Sequence, residues 1–149
     1  MGVRQQRMAN ISMRVALLLP VLLFSSALFA ATIEVEGVAA SDPGRKNQSI
    51  PDSLAKYRAI LGSTTFGSFK NIATQTVRSG GSATIDKYTV DVAVVRVEGK
   101  AKVEITVKEG GNAIASPLRR ALTPGKSFSM QVGSKDAPTI FIFTILDAD

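Results

Sequence analysis

Two short patterns in this 149-residue sequence hold residue types that carry out chemistry in other proteins. Ser53-Leu-Ala-Lys56 has the S-x-x-K spacing, which places a serine hydroxyl and a lysine amine on one helical turn in penicillin-binding enzymes. The companion motifs S-D-N and K-T-G are missing from the sequence. A first-turn helix position explains Ser53 better, and a solvated position explains Lys56, so we predict no serine–lysine catalysis.

The second pattern, Thr123-Pro-Gly-Lys-Ser127, resembles the end of a phosphate-binding loop. The earlier glycine that such a loop requires would fall at position 120, which is Arg120. A tight turn accounts better for the Pro-Gly pair, because these residues favour the two central positions of a β-turn.

The sequence contains residues that could form one kind of binding site, a small basic patch. Arg119 and Arg120 are adjacent, and Lys126 follows closely. Neighbouring residues on a strand point to opposite faces, so both arginines join one patch only at a bulge. The alternative is a charged sheet edge that discourages aggregation. We take Arg119, Arg120 and Lys126 as candidate contacts for a partner or an anion.

The missing residue types exclude several classes of site. The sequence contains no histidine, cysteine or tryptophan, so the usual ligands of zinc, haem and iron–sulfur clusters, the cysteine nucleophile and the histidine base of catalytic triads are lacking. Glu34 and Glu36 share one face of a strand, but no loop of the form D-x-[DN]-x-[DN]-G, typical of calcium sites, accompanies them. We predict no enzymatic activity and no cofactor or metal.

Residues 1–31 are typical of a secretory signal peptide. Arg4, Arg7 and Arg14 precede an apolar run of about 16 residues, shorter than the roughly 20 residues of a membrane-spanning helix. The run ends in small residues, so we expect cleavage after Ala30 or Ala31; an uncleaved membrane anchor is the alternative. We predict a periplasmic or secreted protein with no membrane span after cleavage.

Residues 32–149 are expected to form a single α+β domain. Without the three leader arginines the net charge falls from +6 to +3, which is far from the dense basic face of a nucleic-acid binder. Ile50–Gly62 carries the signals of a short helix, with Pro51 at its start and Gly62 at its end. Its apolar residues fall on one face: Leu54, Tyr57 and Leu61.

The remaining residues alternate in the manner of strands, and we predict that the helix packs on a mainly antiparallel β-meander of about six to seven strands. Ala39–Ser49 reads as an exposed loop, for which a solvated connection is favoured and a contact role is the alternative. Pro117 indicates an edge position or a bulge. Thr139–Leu146 is apolar on both faces, which predicts a central strand. One face would meet the helix; a loop, a second sheet or a partner must cover the other.

Ile50-Pro-Asp-Ser-Leu-Ala-Lys-Tyr-Arg-Ala-Ile-Leu61, followed by Phe66-Gly-Ser-Phe69, resembles a loose group of small exported bacterial proteins of unassigned function. The resemblance covers most of the mature chain. It departs just before the last strand, where Gly133-Ser-Lys-Asp136 replaces an expected Gly-Gly pair. The resemblance implies a periplasmic or envelope location and no assigned activity.

Two binding roles remain open at this point. The first is a non-enzymatic binding or structural domain, a small component of a bacterial envelope assembly with an envelope protein as its partner. The second is a module that binds cell-wall glycan or a small anion through the Ser41–Ser49 loop and scattered basic residues. Exposed charge contacts are screened by ions, so the second role predicts binding that weakens with salt.

Overall fold

Nine β-strands and one short helical segment make up residues 30–149, the part of the chain that the computed structural model describes. The helical segment begins as a 3₁₀ helix, Asp52–Tyr57, and continues as α1, Arg58–Gly62. The strands are β1 (Ala31–Pro43), β2 (Phe66–Arg78), β3 (Ser82–Ile85), β4 (Tyr88–Val97), β5 (Lys100–Glu109), β6 (Asn112–Ala113), β7 (Leu118–Ala121), β8 (Ser127–Gly133) and β9 (Pro138–Ala148).

The first sheet contains both the first and the last strand of the described residues, β1 and β9. Its strand order is β2-β1-β9-β8, with every neighbouring pair antiparallel. In the register of β1 and β9, Val35 lies opposite Phe143, and in that of β8 and β9, Met130 lies opposite Phe141. The most apolar strand, β9, therefore lies inside the sheet, with β1 paired to one of its edges and β8 to the other.

The second sheet is built from hairpins. Its order is β3-β4-β5, with β6 and β7 both paired to the outer side of β5. Glu98 and Gly99, at φ 53° and 77°, form the two-residue turn between β4 and β5. Positive φ at both central positions matches the twist of the flanking strands, which is why glycine-containing pairs are favoured in such turns.

The two sheets pack face to face around an inter-sheet core. Phe141, Phe143 and Ile145 of β9 contribute to it from the first sheet, and Tyr88 from the second. The rings of Tyr88 and Phe141 meet edge to face with centroids 5.7 Å apart. This geometry is the favourable arrangement of two aromatic rings, whose edges and faces carry opposite partial charge.

A helix-side core lies on the opposite face of the first sheet. Leu54, Tyr57 and Leu61 are buried there against residues of β1, β2 and β9. The sheet residues of this core are Val38, Ala40, Phe66, Phe69, Ile140 and Ile142. The fold thus has three layers, with the helical segment on one side of the first sheet and the second sheet on the other.

These observations confirm the coarse prediction, an antiparallel sheet-rich α+β fold with one short helix. They also confirm the central position of β9 and the apolar face of the helix, beneath which Phe66 and Phe69 pack. Pro117 lies between β6 and β7, where the edge strand is interrupted, as predicted. A second sheet, not a loop or a partner, covers the other face of β9.

Three details differ from the prediction. The described residues form nine strands in two sheets instead of a single meander, because β1 pairs with β9 and alternation within a strand does not specify such a distant neighbour. Ala39–Pro43 continues β1, so the loop is shorter than expected. Just over half of the helical segment is 3₁₀, and neither the 3₁₀ helix nor α1 has a side-chain hydrogen bond that caps its N-terminus. The predicted signal peptide lies outside the described residues apart from Ala30 and Ala31.

Candidate functional site

The loop between β1 and the helical segment is fastened to the chain that follows the helix. The amide of Gly44 donates to the carbonyl of Thr65 at 2.8 Å, and the amide of Ser49 donates to the carbonyl of Gly67 at 2.7 Å. A bridge between Ser49 and Ser68 extends this contact to the start of β2. Both ends of the loop are therefore held against the segment that leads into β2.

Gln48 ties the middle of the same loop. Its Nε2 lies 3.2, 3.0 and 2.9 Å from the carbonyl oxygens of Leu61, Thr64 and Phe66. Carbonyls at the end of a helix lack partners within the helix and need a donor from elsewhere. The carbonyl of Leu61 also accepts from Thr64, so the main effect of the Gln48 amide is to join the loop to the chain between the helix and β2.

A cleft of about 590 Å³ lies between the fastened loop and the helical segment. Three of its lining residues are cations: Arg45 and Lys46 from the loop and Arg58 from the first turn of α1. Among the described residues that line it, none carries a carboxylate. The remaining lining residues are Asn47, Gln48, Ile50, Gly62 and Thr64. A concave surface with convergent cations favours an anionic ligand.

Arg45 is held at the rim of the cleft. Its side chain lies across Gly67, and its Nη1 is 3.7 Å from Asp42 Oδ2, which also accepts a hydrogen bond from Ser68. Both partners of this ion pair are 56% exposed, so the pair is weak and leaves the guanidinium able to bind a ligand. No ion pair is recorded for Lys46 or Arg58 within residues 30–149.

The three predicted contact residues lie in the second sheet and beside it, away from this cleft. Arg119 Nε is 2.7 Å from Glu104 Oε2, its cross-strand neighbour on β5. Arg120 lies opposite Val103, on the other face of the sheet, with its guanidinium 6.0 Å from the centroid of the Phe128 ring. Thus the two arginines have separate partners.

Lys126 closes a β-turn, with its amide donating to the carbonyl of Thr123 at 3.1 Å. Gly125 has φ +82° in this turn. The Thr123–Ser127 pattern is accordingly turn chemistry, as predicted.

The Ser53–Lys56 pattern does not form a nucleophile–base pair. Lys56 Nζ donates to Glu34 Oε1 at 3.0 Å, and this hydrogen bond raises the pKa of the lysine. A lysine whose pKa is raised remains protonated and cannot accept a proton from serine. Ser53 is exposed on the 3₁₀ helix, without a recorded bond to Lys56 among the described residues.

Glu34 and Glu36 lie beneath the helical segment as part of a carboxylate–tyrosine cluster. The hydroxyl of Tyr57 is 2.8 Å from Glu34 Oε1 and 3.5 Å from Glu36 Oε2, and Asn71 Nδ2 also donates to Glu36. Glu36 and Tyr57 are only 3% and 4% exposed. Burial, followed by the contact with Glu34, raises the pKa of Tyr57, so its hydroxyl stays a donor. Glu36 and Tyr57 are thus closed to a substrate, and the cluster fastens the helical segment to the sheet.

Sequence reasoning found part of the basic cleft. A contact role was the alternative considered for the Ser41–Ser49 loop, and the loop contributes Arg45 and Lys46. Arg58 was missed because helical spacing turns it away from the apolar face, a position that solvated residues also occupy. Only the return of the loop across the helix brings Arg58 into the same cleft.

Residues 30–149 contain no helix that is long and apolar enough to cross a membrane. The same residues contain no group of three or more acidic, histidine or cysteine side chains arranged to hold a metal ion.

Comparison with known proteins gives no relative from which a function could be transferred. No protein-family model, no curated protein and no solved structure matches this chain. The resemblance to small exported bacterial proteins therefore stays a prediction, and the function has to be argued from the cleft itself.

Proposed function

We propose that this chain is an exported, non-enzymatic binding domain that takes a small anionic ligand in the cleft of Arg45, Lys46 and Arg58. The observation that carries the proposal is the convergence of three cations on one cleft without a lining carboxylate among the described residues. Its volume of about 590 Å³ is within the usual range for small-molecule sites, about 300–1,000 Å³.

The order of this loop supports the proposal. Gln48 and two backbone hydrogen bonds hold the loop in place before any ligand arrives. A preorganised site loses less conformational entropy on binding, so more of the interaction energy is retained as affinity. The arginines offer planar groups of N–H donors that match the oxygens of a phosphate or carboxylate.

The other role, a component of an envelope assembly with a protein partner, has less structural support. That role was inferred mainly from the last strand, which is apolar on both faces and so needed cover. Both faces of β9 are in fact covered by residues of the same chain. The edge strand beside Pro117 is divided into segments of two and four residues, which offers a partner strand only short ladders.

The leader-like residues 1–31 support a periplasmic or secreted location, where phosphate and carboxylate groups of envelope glycans would be the available anions. The proposal is non-enzymatic because the cleft lacks a general base and because Lys56 is paired with Glu34. Cell-wall glycan therefore remains a ligand source in this proposal, with the anionic group as the part that is recognised.

The test is a calorimetric titration with inorganic phosphate at low and at high salt. The protein is expressed from the full sequence and purified as the cells yield it. We expect binding that weakens with salt, because exposed charge contacts are screened. Arg58→Gln should weaken binding about tenfold or more, as expected for losing a hydrogen bond to a charged group.

Arg120→Gln is the matched control, because it removes the same charge from the sheet edge where the sequence placed a candidate contact. We expect it to leave phosphate binding unchanged. Binding that is lost in Arg120→Gln but retained in Arg58→Gln would move the site to that edge, and the absence of phosphate binding to the unmodified protein would overturn the proposal.

A further inference from the structure

A second cleft, of about 470 Å³, adjoins the basic cleft, and Thr64 lines both. Its walls come from the chain between α1 and β2, from the end of β1, and from β8 with the turn that follows it. The residues that line it are Pro43, Ser63, Thr64, Thr65, Phe66, Gln131, Lys135 and Asp136. A ligand bound in the basic cleft could thus extend past Thr64 into a second, differently composed space.

The two clefts differ in charge. The basic cleft holds three cations, whereas the second cleft holds Lys135 and Asp136, whose charges cancel. Its other polar side chains are three hydroxyls and one amide. An anionic group is favoured in the first cleft only, and a neutral polar group is favoured in the second.

Two hydroxyls of the second cleft already donate a hydrogen bond within the protein, which limits how they can bind a ligand. Ser63 Oγ donates to the carbonyl of Ile60 at 2.7 Å, and Thr64 Oγ1 donates to the carbonyl of Leu61 at 2.7 Å. Each hydroxyl has one proton, so these two oxygens can only accept from a ligand. The carboxylate of Asp136 also only accepts. The second cleft therefore offers these acceptors beside the donors of Lys135 and Gln131, a mixture that suits alcohol groups, which both donate and accept.

We infer that the ligand has two parts: an anionic group held by Arg45, Lys46 and Arg58, and a polyhydroxylated part that donates hydrogen bonds to the second cleft. A phosphorylated or carboxylated saccharide or polyol has this chemistry. This inference rests on the proposed anion-binding function and specifies the class of its ligand. A free sugar phosphate and a polymer that carries such units would both satisfy it.

The experiment compares three probes on the protein in its processed form: inorganic phosphate, the disaccharide trehalose, and trehalose 6-phosphate. We expect the disaccharide phosphate to bind about tenfold more tightly than inorganic phosphate, as one or two added hydrogen bonds would give. Trehalose alone, which lacks the anionic group, should bind more weakly than either. Equal affinity for inorganic phosphate and trehalose 6-phosphate would overturn the inference while leaving the anion site intact.

Variants separate the two clefts. Ser63→Ala combined with Asp136→Ala removes two acceptors of the second cleft and should therefore remove the gain from the disaccharide, with the binding of inorganic phosphate retained. Thr76→Ala, which truncates an exposed threonine elsewhere on β2, is the control and should change neither. Arg58→Gln should weaken both anionic probes. A gain that survives in the double variant would place the sugar outside the second cleft and refute the assignment.

A comparison of a polymer with its monomer distinguishes a polymeric ligand from a free one. An oligomer of glycerol phosphate carries phosphodiesters with one charge each, whereas its monomer carries a phosphomonoester. Tighter binding of the oligomer would identify a polymeric source, and equal or tighter binding of the monomer a free one. Either result supports the inference, whereas binding of neither, alongside binding of inorganic phosphate, would contradict it.

Discussion

The side chain of Arg45 lies directly against the backbone of Gly67. A Cβ atom placed on Gly67 would stand 2.5 Å from the Cβ and 2.7 Å from the Cδ of Arg45. The missing side chain on β2 is thus what allows the loop to approach the sheet and directs the arginine over it. Gly67 belongs to the buried part of β2, so neither segment can move aside freely.

Gly67→Ala is therefore expected to displace the loop and to reduce both stability and anion affinity. Part of the clash involves the Cβ of Arg45, which cannot rotate away as the end of a long side chain can. Overpacking of this kind costs about 1–3 kcal/mol in the free energy of unfolding. Urea unfolding and phosphate titration measure the two effects.

The variant Arg45→Gly provides the control for this prediction. It removes the atoms with which the new methyl group collides, so Gly67→Ala should cost less in the Arg45→Gly background than in the unmodified protein. An equal cost in the two backgrounds would show that Arg45 is not what the methyl group displaces.

Gln48 should be the main anchor of the loop. Gln48→Ala removes the donor shared by the carbonyls of Leu61, Thr64 and Phe66. Leu61 keeps its bonds from Thr64, whereas the carbonyls of Thr64 and Phe66 lose this donor, so we expect a loss of about 1–3 kcal/mol and faster hydrogen exchange at the loop amides. Gln75→Ala removes a single bond to the carbonyl of Thr84 and should cost less. Equal costs would contradict the anchoring role.

Local patterns in the sequence were sufficient for the parts of the fold that depend on neighbouring residues. The Thr123–Ser127 turn, the break at Pro117 and the apolar face of the helix follow from turn chemistry, the missing amide of proline and helical spacing, which act over a few positions. The central place of β9 followed from its composition alone, because a strand that is apolar on both faces must be covered twice.

The pairing of β1 with β9 was not accessible in this way. Its register brings Ile33 opposite Ile145, more than a hundred positions later, and many apolar strands could serve equally as that neighbour. The basic cleft was missed in part for the same reason. Arg58 reads as a solvated helix residue until the loop is known to pass beside it.

Tyr57 is expected to stabilise the contact between the helical segment and the first sheet through its hydroxyl. Tyr57→Phe removes the donor to Glu34 and Glu36 while keeping the ring in the helix-side core. Hydrogen bonds to charged groups contribute about 1.5–3 kcal/mol, so the free energy of unfolding should fall by about that amount. Tyr88→Phe, at the other tyrosine of the chain, should cost less, since no carboxylate bond is recorded for it among the described residues. Equal losses in urea unfolding would contradict this role.

Glu34 should make the stability of the protein depend on pH in the acid range. The hydrogen bonds from Lys56 and then Tyr57 hold the pKa of Glu34 below its usual value of 4.5. A carboxyl group whose pKa is lower in the folded state stabilises the fold above its unfolded pKa, and this contribution is lost as the pH falls through the folded pKa. Urea unfolding from about pH 6 to about pH 3 should therefore show the difference between the unmodified protein and Glu34→Gln narrowing as the pH falls. Glu109→Gln, which removes an exposed partner of Lys87, is the control and should show a smaller change. A difference that stays constant across this range would mean that Glu34 does not couple folding to protonation.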